Sequence, residues 1–224
     1  MAQAGGKGER ETLRRLPPGR HGLSREFVAQ NQQERLIAGT LVAVADHGFR
    51  ETTVTLISKE SGVSRRTFYS YFDTKEECFL ATFDLLEEHL LVAVREAPVS
   101  RPSWTAQVQA RVAALLAVLG ENPDLVRFAL IAPPAAGGAV LERNRRLLER
   151  LVDAVVEGAP QSLAKGGVSE VEREAMAGSL SAVLAAAVEG DGGDQLDGAF
   201  PEVVELTLAP FVGRRRAMAA AQKR

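Results

Sequence analysis

Arg65 and Arg66 stand side by side directly after Ser64, within the run Gly62-Val63-Ser64-Arg65-Arg66-Thr67-Phe68-Tyr69-Ser70-Tyr71-Phe72. Ser64 is a good N-cap, so the pair falls in the first turn of a predicted helix from Arg65 to about Tyr71. Cations there oppose the helix dipole, at a cost of about a few tenths of a kcal/mol each. A helix with a purely structural task favours Asp or Glu at those positions. The chemistry that offsets the cost is an acceptor-rich partner. One guanidinium can engage guanine O6 and N7 bidentately, for about 1–3 kcal/mol of discrimination. Thr67 can meet a base edge or a thymine methyl, and Tyr69 and Tyr71 can offer hydroxyls to phosphates. The plainer alternative is a solvated basic turn with two packed tyrosines.

The flanking residues form a frame for that turn. Thr53 is a good N-cap for a short helix, Val54 to Ser61, that buries Val54 and Ile57. Gly62 then supplies a sharp turn where a side chain would sit at costly positive φ. Val63, Phe68 and Phe72 point inward and lock the two helices together, which makes a helix-turn-helix. Thr74-Lys75-Glu76-Glu77 fits a capping box and starts a long helix. Lys75 stands beside that N-terminus, where amides and an ammonium can hold one phosphate together. The candidate DNA-contacting set is therefore Thr53, Ser64, Arg65, Arg66, Thr67, Tyr69, Tyr71 and Lys75.

Catalytic constellations are missing from the pattern. The histidines are His21, His47 and His89, with no metal-ligand spacing between them. Gly5-Gly6-x-Gly8 and Gly190-x-Gly192-Gly193 lack a preceding strand and do not read as phosphate loops. No enzyme, cofactor or metal is expected. The single cysteine, Cys78, rules out a disulfide framework within the chain and fits a reducing compartment. It lies in an apolar helical stretch and reads as a small packed hydrophobe. The N-terminus has no apolar signal-peptide core, and the uncharged runs are too short to span a bilayer or are broken by Pro133 and Pro134. The expectation is a soluble, cytoplasmic protein that does not engage membranes.

The elements that must carry the turn are helical throughout. Aromatics make up only 5% of the chain while Ala, Leu and Val abound, which favours helix over a β-sandwich. Apolar residues recur three and four apart in five stripes: Ile37, Leu41, Val44; Phe79, Phe83, Leu86, Leu90; Val108, Val112, Leu115, Leu119; Leu148, Leu151, Val155; and Met176, Leu180, Val183, Ala187. Gly and Pro punctuate the intervals. The expected fold is all-α: an N-terminal three-helix DNA-binding domain, then a helical regulatory and dimerisation domain, about nine helices in all. The division runs 1–24 as a flexible basic arm holding Arg10, Arg14, Arg15 and Arg20, 25–75 as the helix-turn-helix domain, 76–215 as the helical body, and 216–224 as a basic tail. Residues 1–75 carry twelve Lys/Arg against eight Asp/Glu, while the rest carries fifteen against twenty-one. A basic module meets a polyanion and an acidic body does not.

Arg35-x-Ile37, Gly48-Phe49, Thr52-Thr53-Val54, Ile57, Gly62-Val63-Ser64, Thr67-Phe68-Tyr69, Tyr71-Phe72 and Lys75-Glu76, in this order, resemble the tetracycline-repressor-like (TetR) transcriptional regulators. The resemblance covers about Arg35 to Phe83. Ser58 and Ser61 stand where that family usually has alanine, Leu56 where it is usually polar, Arg66 for a common glycine and Tyr71 for a common histidine. The last two bear on the operator sequence. The resemblance implies a homodimeric repressor on double-stranded DNA, released from a near-palindromic operator by a small hydrophobic effector. The alternative is a ligand-independent regulator or activator acting through a protein partner. It also implies a dimer interface on two late helices, about Ser169 to Glu189 and Phe200 to Val212, where Ala177, Leu180 and Ala187 permit close approach. Candidate effector-lining residues are Phe83, His89, Trp104, Phe128 and Leu151.

Overall fold

A computed structural model of the protein describes residues 25–99, 103–131, 138–160, 169–189 and 194–222. The arm expected over residues 1–24 lies outside the described residues. Among those described, every regular element is helical. In chain order they are α1 (Arg25–Glu51), α2 (Val54–Ser61), α3 (Arg65–Phe68), α4 (Lys75–Arg95), α5 (Trp104–Glu121), α6 (Pro123–Val126) running into a π turn (Arg127–Ile131), α7 (Gly138–Val156), α8 (Glu170–Glu189), α9 (Asp194–Gly198), α10 (Phe200–Val212) and α11 (Arg214–Ala221). The short α3, α6 and α9 are shorter than two helical turns, so apolar periodicity alone could not count them.

The chain divides into two compact units, residues 1–82 and 83–224. The first is built on a core of Leu36, Ala43, Ile57, Val63, Phe68, Phe72 and Cys78. The buried stripe of α1 is Leu36, Thr40, Ala43 and Val44, with Ile37 only partly buried. That face is set about one residue away from the expected Ile37, Leu41, Val44. The rotation places a threonine inside, which hydrophobicity does not anticipate. Thr40 is satisfied there: its Oγ1 donates to the Leu36 carbonyl at 2.8 Å and lies 3.0 Å from Cys78 Sγ. Burial pushes the Cys78 thiol up to about 11, so it stays protonated and packs as the small hydrophobe expected.

Gly39 sets how closely α1 and α2 approach. A Cβ on Gly39 would lie 2.6 Å from the Ser61 nitrogen and 2.9 Å from its Cα. The obstacle is backbone and cannot swing aside. Gly39→Ala is expected to destabilise the first unit by about 1–3 kcal/mol through overpacking, despite alanine's better helix propensity. Denaturant unfolding checks this, and a gain in stability would mean that the two helices can separate at little cost.

The second unit packs α5 against α10, and α8 against α7 and α10. The buried apolar groups on these helices are Val108, Val112, Leu115 and Leu119 on α5, Leu147, Leu151 and Val155 on α7, Leu180 and Leu184 on α8, and Val203, Val204 and Leu208 on α10. Ser169 and Glu172 form a reciprocal capping box at the start of α8: Glu172 Oε2 accepts from the Ser169 amide at 2.9 Å and Ser169 Oγ accepts from the Glu172 amide at 3.2 Å. The Ser169 amide, together with its hydroxyl donating to the same Oε2 at 2.8 Å, holds the Glu172 carboxyl below its usual range. The described part of the segment expected as a basic tail lies in α11 and its C-cap. Gly213, at φ 79°, turns the chain, and Ala217 and Ala221, one helical turn apart, bury themselves on α11. No described helix is long and apolar enough to cross a membrane.

Candidate nucleic-acid interface

The helix-turn-helix forms from local rules. Thr53, extended at φ −120°, accepts from the Leu56 amide at 3.2 Å and opens α2. Gly62, at φ 62°, closes it, and its amide and that of Val63 return to the Lys59 and Ser58 carbonyls. Ser64 opens α3 by accepting from the Thr67 amide at 3.1 Å, and its hydroxyl lies 2.8 Å from Thr67 Oγ1. Ile57 and Phe68 are fully buried, and Val63 and Phe72 nearly so.

α3 is shorter than expected. Regular helix ends at Phe68, and Tyr69 to Tyr71 form a tighter turn in which Ser70 and Tyr71 bond to carbonyls three residues back. The cause is the demand of Phe68, Tyr71 and Phe72 for the same core.

Arg65 and Arg66 are both exposed, in a helix with no acidic residue in its first turn. Neither side chain has a hydrogen-bond or ion-pair partner among the described residues. Tyr69 is 51% exposed, its ring set edge-on to Phe68 at 5.4 Å. Ser70 donates to the Arg66 carbonyl at 3.2 Å. Ser64, Arg65, Arg66 and Tyr69 thus share an open surface, with the half-buried Thr67 at its edge. Thr53 is exposed but its oxygen is occupied by the cap.

Two members of the expected set are placed differently. The Tyr71 hydroxyl donates to Gln32 Oε1 on α1 at 3.1 Å. The Lys75 ammonium donates to the carbonyls of Phe49 at 3.0 Å, Arg50 at 3.3 Å and Thr52 at 2.8 Å, and lies 4.5 Å above the Phe49 ring. All three N–H groups are directed at carbonyls at the exit of α1, where the expectation was a phosphate ligand. Arg35 does the same for α2: its guanidinium donates to the Ser61 carbonyl at 2.8 and 3.1 Å and to the Gly62 carbonyl at 3.0 Å. The family motif named both residues, but sequence reasoning assigned no clamp. Basic residues facing the C-terminal ends of helices were the available signal.

Four of the five candidate effector residues have buried side chains. Phe83 and Phe128 are fully buried and in contact, with ring centroids 5.1 Å apart. Trp104 is buried, donates from Nε1 to the Val156 carbonyl at 3.2 Å and packs on Phe211. Leu151 is buried and His89 is exposed. A separate apolar void of about 10 Å³ lies among Val112, Leu115, Val152, Val155, Met176, Leu180 and Val203, touching none of the five. On α8, Ala177 and Leu180 are buried in the chain's own core, while Val171, Ala175, Gly178, Ala182 and Ala186 are exposed. An open groove of about 390 Å³ runs along Ala182, Ala186, Ala187 and Glu202.

A helix-turn-helix with an open, basic recognition face is suited to the major groove of duplex DNA. Residues 36–82 match the family described as bacterial regulatory proteins, tetR family. The likeness to that family covers the helix-turn-helix unit. It is 32% identical over 110 residues to the HTH-type transcriptional regulator TcmR of Streptomyces glaucescens, a stretch covering 49% of this chain and 46% of that protein. The match thus spans about half the length of that relative. Two solved structures share the fold. The fatty acid degradation regulator FadR of Bacillus halodurans superposes with a TM-score of 0.65 at 18% identity, over 82% of this chain and 96% of that one. FadR of Bacillus subtilis, in complex with stearoyl-CoA, superposes with 0.64 at 15% identity, over 80% and 98%.

Proposed function

We propose that the protein is a homodimeric repressor whose two α3 helices enter successive major grooves, roughly 34 Å apart, on a near-palindromic operator. The observation that carries this reading is the exposed pair Arg65 and Arg66 in the first turn of a helix without acids. Arg65, Arg66 and Thr67 read base edges; Ser64 and Tyr69 serve the backbone. The dimer forms through the outward face of α8, where glycine and alanines permit close helix approach, together with α10. A small hydrophobic effector binds better to a conformation unable to span the operator, and that difference in affinity releases DNA.

The test is retention of a random duplex library by purified protein at near-physiological salt, followed by sequencing. An enriched palindrome is the expected result, and sequence-blind retention would overturn the reading. Effector screening then starts from long acyl-CoA thioesters, the class represented by the ligand of the Bacillus subtilis structure.

A second reading, regulation through a protein partner without a small effector, draws support from the packing of Phe83, Phe128, Trp104 and Leu151 into the core. A compound that raises the unfolding temperature while lowering DNA affinity decides against it.

A further inference from the structure

We propose that the DNA interface extends from α3 onto α1 at Gln32, whose amide is held by Tyr71 to donate to a backbone phosphate. This rests on the DNA-binding reading above and adds a contact to it.

The Tyr71–Gln32 bond joins residues 39 apart in the chain and ties α1 to the turn leaving the recognition helix. The tyrosine is partly buried with its ring against the core, so its hydroxyl is a fixed donor. An amide whose oxygen is engaged has its nitrogen left to give. Gln32 is half exposed, and its nitrogen has no acceptor among the described residues. Gln30, two residues earlier, differs, since its nitrogen donates to Glu34 on the same helix at 3.2 Å. Amide side chains are common phosphate donors, and such contacts fix register without reading sequence. The phosphate contact expected of the Tyr71 hydroxyl thus passes to Gln32, with Tyr71 as its positioning residue.

Gln32→Glu tests this on the selected operator duplex. The carboxylate still accepts from Tyr71 but faces the phosphate with like charge. Affinity is expected to fall tenfold or more, equally for preferred and altered base sequences, with the unfolding midpoint unchanged. Tyr71→Phe keeps the ring and should cost severalfold. A scan of neutral methylphosphonate substitutions along the duplex adds a readout independent of folding. One phosphate per half-site should matter for the natural protein and cease to matter in Gln32→Ala. Natural affinity in Gln32→Glu, or an identical scan in Gln32→Ala, would overturn the inference. If the natural protein retains no duplex, the underlying reading fails instead.

Discussion

Replacing Arg65 and Arg66 together by alanine is expected to abolish selection of a preferred duplex while leaving the fold as stable as before, or slightly more so. Each guanidinium that pairs bidentately with guanine contributes about 1–3 kcal/mol of discrimination. Losing two such contacts from one recognition helix therefore predicts a fall of about thirtyfold or more for the preferred site. Stability should not follow. Both side chains are exposed and neither has a partner among the described residues. As cations in a first turn they work against the helix dipole, so their removal recovers about a few tenths of a kcal/mol each. Parallel binding and thermal melts check both halves. Unchanged base preference would move readout to other residues; a lowered midpoint would assign the pair a structural task.

Lys75→Met is expected to give the opposite pattern, with lost stability and no change in how binding responds to salt. Methionine preserves the aliphatic stem over Phe49 but deletes three donors from the exit of α1. Hydrogen bonds from charged donors are worth about 1.5–3 kcal/mol each when buried. These sites are partly exposed, so a total of about 2–3 kcal/mol is the expected loss. DNA affinity weakens because the frame loosens. A lysine that neutralised a phosphate would contribute about 0.9 to the slope of log affinity against log salt. A titration across salt concentrations distinguishes the roles: an unchanged slope supports the clamp, and a slope lower by about one with full stability restores the phosphate contact.

What the sequence made legible was what depends on near neighbours. Thr53, Gly62 and Ser64 act on residues within four positions, through caps and a positive φ, and each was readable from its type and spacing. The carboxylate of the Thr74 capping box was nearly so: Glu77 bonds the Asp73 amide at 2.7 Å, one position before the expected one. Long-range partners were not legible. Nothing local in Arg35, Lys75 or Tyr71 reveals a bond to a residue 26, 23 or 39 positions away. Thr40 was missed because a threonine that bonds its own helix behaves as a core residue. On α8, alanine and glycine occur on inner and outer faces alike, so periodicity could not separate Ala177 from Ala175. The large residues offered as effector contacts were sound as apolar groups, and four of the five went to the core that such groups fill by default.

The brevity of α3 carries one more consequence, for transplantation. A helix of four residues lies far below the length at which a peptide holds helical form in water. Its shape is borrowed from Phe68 and Phe72 in the core, from the Ser64 cap and from the turn that Arg35 holds. An excised peptide spanning residues 64–71 would therefore be unstructured and carry no operator preference. Exchange of specificity between relatives is better attempted by altering Arg65, Arg66 and Thr67 on the intact three-helix frame. On the proposed reading, the unit of inheritance for DNA recognition is the domain, and the few side chains assigned to the bases are its replaceable lettering.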